Sequence, residues 1–135
     1  LLGLAEKITK SFTKLGVVVE IDCPEINPGE EKSMLLGMLV SELVTNSLKH
    51  AFGNSDSPLI RMEIVCDNHN LKLSYRDNGP GIAKHVDKTG NMGIKFLTGL
   101  PLRLGGHSAM WSEQGMRYEM TIPLGSPLNP NPIAA

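Results

Sequence analysis

The sequence predicts an α+β layer structure, and three observations predict it. A long helical pattern runs from Glu30 to Phe52, strand-like runs come as two pairs, and helical spacing recurs between those pairs. In chain order, Leu1, Leu4, Ala5, Ile8, Phe12 and Leu15 recur at helical intervals, with Gly16 as a stop. Val17 to Ile21 is a short, mostly β-branched strand, and Pro24 to Gly29 is a loop. From Glu30 to Phe52, one stripe of a long helix holds Leu36, Leu39, Val40, Leu43 and Ser47. Gly53 to Pro58 has turn composition. Arg61 to Cys66 and Leu71 to Asp77 form a first strand pair, joined near Asn68, His69 and Asn70. Asp77 to Gly81 is rich in turn residues, and Ala83 to Thr89 is a short polar loop, expected to be the most mobile internal segment. Helical spacing returns from Met92 to Leu104, weakened by Gly99 and Pro101. Ser108 to Glu113 and Met116 to Pro123 pair around Gln114–Gly115, and the Gly- and Pro-rich end from Gly125 to Ala135 is expected to be a disordered tail.

A length of 135 residues suits one domain able to hold its own core. The expected division is a domain over 1–124 and a tail over 125–135. A net charge of −1 lacks the basic excess of a dedicated phosphate-backbone binder, and an aromatic content of 4% leaves little for base stacking. Nucleic acid is therefore not the expected partner. Cys23 and Cys66 form no CxxC pair, a pattern that fits a reducing, cytoplasmic setting. No stretch approaches the ~20 apolar residues of a spanning helix, and no basic segment with an apolar core opens the chain, so membrane contact is not expected. The chain begins with Leu1 rather than Met, the expectation for a piece of something longer.

Three constellations carry chemistry. On the long helix, Asn46 lies about 40° from Glu42, and Lys49 about 20° to the other side. They form a polar strip roughly 110° from the apolar stripe, flanked by His50. A carboxylate, a carboxamide and an ammonium together could handle an anion, its counter-cation and a proton; the same pattern also describes a solvated helix face. Next, Asp77-Asn78-Gly79-Pro80-Gly81-Ile82 follows a strand. Its glycines let backbone approach a flat ligand, and Asp77 could accept from an amine; a plain turn uses the same residues. Finally, Gly90-Asn91-Met92-Gly93-Ile94-Lys95 opens a helix, where free N–H groups, the helix dipole and Lys95 suit a phosphate. It matches neither a Walker A loop nor a dinucleotide fingerprint.

Taken in order, the three resemble the nucleotide-binding boxes of the GHKL ATPase superfamily, most closely the catalytic ATP-binding domain of bacterial sensor histidine kinases. Ser41 to Phe52 resembles the asparagine box, Asp77 to Ile82 the first glycine box, and Gly90 to Leu97 the second. The resemblance covers about Val17 to Leu124 and implies a two-layer sandwich of the Bergerat type, a mixed, mostly antiparallel sheet backed by helices. It implies ATP and Mg²⁺ as cofactors. Asn46 would ligate Mg²⁺, Lys49 and His50 would contact phosphate, and Glu42 would be the base or polarising carboxylate. Asp77 would accept from the adenine amine, with Gly79, Gly81 and Ile82 shaping the pocket. Gly90, Gly93 and Lys95 would meet phosphate.

The loop between the glycine boxes is short, as in the subfamily with abbreviated lids. Gly115–Met116 stands where the family often has Gly-Thr, so a polar contact near the adenine is expected to be missing. No segment resembles a phosphoacceptor helix. The implied function is therefore transfer of the ATP γ-phosphoryl group to a histidine on a separate helical domain, with a response regulator downstream. Two further readings are an anti-sigma-factor-type serine kinase, and a docking module of a histidine phosphotransfer protein that no longer binds ATP.

Overall fold

In a computed structural model, the described residues are 7, 10, 16–24, 28–48, 58–67, 69–79 and 92–124. Their order is β1 (Val18–Asp22), α1 (Glu30–Asn46), β2 (Leu59–Cys66), β3 (Asn70–Asp77), α2 (Met92–Arg103), β4 (His107–Ser112) and β5 (Met116–Pro123). Lys7 and Lys10 are helical; the rest of the expected first helix, the polar loop over 83–89 and the tail over 125–135 lie outside the described residues.

The strands form one sheet in the order β1-β2-β3-β5-β4. Only β1 and β2 run parallel, because α1 lies between them as a crossover. The other neighbours are antiparallel. The strand burial alternates with period two, placing Ile60, Met62, Ile64, Leu71, Leu73, Tyr118, Met120 and Ile122 on the covered side. Against them pack Leu36, Leu39, Val40, Leu43 and Val44 of α1 and Leu97 and Leu100 of α2. The helices thus cover one face of the sheet, as expected of a two-layer structure.

The tolerance of Pro101 inside α2 has a specific cause. Proline has no N–H for the carbonyl four residues earlier. That carbonyl, on Leu97, accepts instead from the Tyr118 hydroxyl at 2.6 Å and the Ser108 hydroxyl at 3.4 Å. A Schellman motif then ends the helix. The Gly106 N–H donates to the Pro101 carbonyl (2.8 Å) and the Gly105 N–H to that of Leu102 (3.0 Å), with Gly105 at φ 84°.

Candidate functional site

β3 ends at Asp77, and its period-two alternation turns the Asp77 carboxylate toward the helices. The residue is 4% exposed. Burial of a carboxylate is costly unless its oxygens are hydrogen-bonded, and they are. Oδ1 accepts from the backbone N–H groups of Gly79 and Met116, each at 3.0 Å. Oδ2 accepts from the Ser47 hydroxyl at 2.7 Å. Ser47 follows Asn46 directly, where the helix widens into a π turn over Ser47 and Leu48, a feature frequent at functional sites. Its hydroxyl also lies 2.5 Å from the Tyr75 hydroxyl, which reaches the Leu43 carbonyl at 3.1 Å. Burial, reinforced by the nearby Asp77 charge, pushes the Tyr75 phenol far above its ordinary pKa. It therefore remains a neutral hydroxyl.

Gly115 closes the other side. It has φ 121°, and a Cβ there would run into the Asp77 carbonyl and come within 3.0 Å of Oδ1. Only glycine allows β5 to start this close to the end of β3. Met116, in place of a threonine, buries its side chain in the core and offers no hydroxyl, yet its N–H supplies a polar contact to Asp77. The turn after Asp77 is tied down as well. The Asn78 N–H donates to the Leu59 carbonyl (3.2 Å), and the Leu59 N–H donates to Asn78 Oδ1 (2.8 Å).

Glu42 and Asn46 are half-buried, one turn apart at the C-terminal end of α1. Asn46 makes no side-chain hydrogen bond to another described residue, and nothing joins Glu42 to Asp77. Glu42 instead borders a shallow depression with Met34, Met38, Ser41 and Thr45. Gly93 and the exposed Lys95 lie in the first turn of α2, which carries no acidic residue. An anion is favoured at such a helix end. Lys49, His50, Gly81, Ile82 and Gly90 fall outside the described residues. Of the polar partners of Asp77, Gly79 is assigned to the pocket by the family resemblance, and Gly115–Met116 stands out in the sequence only as a departure from Gly-Thr. Ser47 is the partner that sequence reasoning gave no role, although a hydroxyl within an apolar stripe was its signal.

A family model described as histidine kinase-, DNA gyrase B- and HSP90-like ATPase matches residues 31–126. The chain belongs to this ATPase family. Its members bind ATP, and the five-stranded sheet with two helices on one face matches the fold of histidine kinase domains. A histidine kinase domain from the blue-light-activated histidine kinase of Erythrobacter litoralis superposes with TM-score 0.76 at 24% identity. That match covers 89% of this chain and 59% of the other. Blue-light-activated histidine kinase 2 of the same species is 29% identical over 92 residues, which is 66% of this chain and 27% of the relative. An anti-sigma F factor of Anoxybacillus flavithermus is 27% identical over 73 residues, 54% of this chain and 49% of the relative. The chain therefore spans half or less of each of these curated relatives. Among the described residues, no helix is long and apolar enough to cross a membrane.

Proposed function

We propose that this ATPase domain is the catalytic part of a sensor histidine kinase, passing the ATP γ-phosphoryl group to a histidine on a separate helical domain that a response regulator then unloads. The observation that carries the nucleotide reading is the state of Asp77. A carboxylate has about four acceptor positions, and the chain itself occupies three. The remaining lone pair lies on Oδ2, held in place by Ser47, and suits the amine of adenine. Guanine carries a carbonyl at that position and would meet it with repulsion.

The other residues fit a magnesium nucleotide. Asn46, without a described side-chain partner, would offer its carboxamide oxygen to Mg²⁺, a hard cation that usually takes few protein ligands beside water and phosphate. When bound, Mg²⁺ supplies charge neutralisation for phosphoryl transfer. The first turn of α2, with Gly93 and Lys95, would receive phosphate. Glu42, one turn before Asn46, would accept or orient a proton.

The 27% identity to an anti-sigma F factor favours a second reading, a serine kinase on the same nucleotide site. Incubation with γ-labelled ATP and candidate substrates separates the two, since phosphohistidine is acid-labile and phosphoserine acid-stable. For the nucleotide site itself, Asp77→Asn should weaken ATP binding by about 2 kcal/mol, roughly 30-fold, because the amide presents a donor to the adenine amine. The parent should prefer ATP over GTP. Equal ATP affinity of parent and variant would remove Asp77 from adenine recognition, and no ATP binding by the parent would leave the docking-module reading.

A further inference from the structure

The opposite face of the sheet holds side chains that the nucleotide site does not use. One register row crosses all five strands as Glu20, Arg61, Arg76, Arg117 and Trp111. The next row on the same face is Asp22, Glu63, Ser74, Glu119 and Ala109. Three arginines thus stand directly opposite one another, an arrangement that costs stability in a lone sheet, beside a row containing three carboxylates. Partners among the described residues are few. Arg61 reaches Glu20 at 3.8 Å, with both side chains more than half exposed. Glu119 reaches Lys72 at 3.9 Å, and the Arg117 Nε donates to the Glu113 carbonyl at 3.0 Å. The half-buried Arg76 has no ion pair or hydrogen bond with another described residue. Above the short Ser74 side chain lies a groove of about 300 Å³, bordered by Arg61, Glu63, Arg76, Arg117 and Glu119.

We propose that this face is a self-complementary docking surface for a second copy of this chain. A two-fold axis parallel to the rows and midway between them places each basic row over the acidic row of the other copy. Arg61 then meets Glu63, Arg117 meets Glu119, and Arg76 enters the groove at Ser74 with a carboxylate on either side. The Trp111 ring covers Ala109, a large side chain over a small one. Glu20 over Asp22 is the mismatch, and it lies at the exposed β1 edge, where salt screens it. Five strands about 4.8 Å apart give a face of roughly 500 Å² per copy, below the ~800 Å² of a standard stable interface. The dimer is accordingly weak, with a dissociation constant of roughly 100 μM, and high salt weakens it further.

Sedimentation of the 135-residue chain from a few to several hundred micromolar tests this. The parent should dimerise with concentration, and emission of Trp111, its only tryptophan, should move to the blue as it does. Arg117→Glu and Glu119→Arg should each weaken association at least tenfold, because each sets like charges opposite one another twice. An equimolar mixture of these two variants should associate again, since all four facing positions then pair. Circular dichroism checks that both variants remain folded. A parent that stays monomeric, a dimer with unchanged Trp111 emission, single variants that associate as the parent does, or a mixture that stays apart would each overturn the proposal.

Discussion

Arg76 and Asp77 are consecutive residues of β3 whose side chains leave the sheet on opposite faces. On the helix-covered side, Asp77 accepts three hydrogen bonds from three different segments. On the open side, Arg76 stands between two other arginines in register and pairs with no described residue. The difference follows from solvent. A buried ionised group without partners costs several kcal/mol, so the covered face can keep its carboxylate only with its oxygens nearly saturated. Water hydrates an exposed guanidinium at little cost, so the open face can keep charges unpaired until another surface covers them. Polar groups on one side are thus fixed by the fold, and on the other are available to a partner.

The largest expected effect lies on the covered side. Gly115→Ala should destabilise the domain by on the order of 3 kcal/mol, since it adds a strained φ and a collision with Asp77. Urea unfolding measures it, and a loss below about 1 kcal/mol would mean that β5 can move away from β3 cheaply.

Ser47→Ala comes next, at about 1.5 kcal/mol, because Asp77 Oδ2 and the Tyr75 hydroxyl both lose a buried partner. It should also loosen ATP–GTP discrimination, which a purely structural serine would not affect. Titration calorimetry with both nucleotides reads the second effect.

Tyr118→Phe should cost about 1 kcal/mol, by taking the principal donor from the Leu97 carbonyl that Pro101 leaves open. Burial pushes the Tyr118 phenol up to about 12, with the Ser108 hydrogen bond opposing. Because the folded state holds this proton more tightly than the unfolded chain, the associated stability is complete below the ordinary tyrosine range near 10. It is lost as pH rises from there toward 12. The unfolding free energy measured across that interval should fall more gently in Tyr118→Phe than in the parent.

The smallest effect belongs to the open face. Arg76→Thr, measured in dilute solution, should raise stability by about 0.5 kcal/mol through relief of the like-charge row and better strand propensity. Added salt should shrink the gain. A loss of more than 1 kcal/mol would show that Arg76 is held within the single chain after all.

Much of this architecture was legible in the residues. β5 occupies Met116–Pro123 as expected, and α1 begins at Glu30, because an alternating or helical apolar pattern states which face is buried without reference to any partner. The strand from Arg61 begins two residues earlier, at Leu59, where pairing of Leu59 with Val18 of β1 and of Ile60 with Asp77 of β3 extends it. Pro101 weakened the sequence argument for a full second helix, and the helix continues through it because Tyr118, 17 positions later in the chain, satisfies the open carbonyl. Local propensity has no access to that donor.

By itself the sequence determined the order of the described elements, the buried stripe of the long helix, and the three ordered boxes whose family resemblance points to a nucleotide, because these depend on residue type and on spacing within a segment. Only the tertiary structure decided which groups meet. Ser47 and Met116, distant in sequence, converge on the Asp77 carboxylate, and three arginines from separate strands fall into one row. Both arrangements depend on strand order and register, which arise when segments distant in sequence pack to bury a common core, and no single segment carries that information.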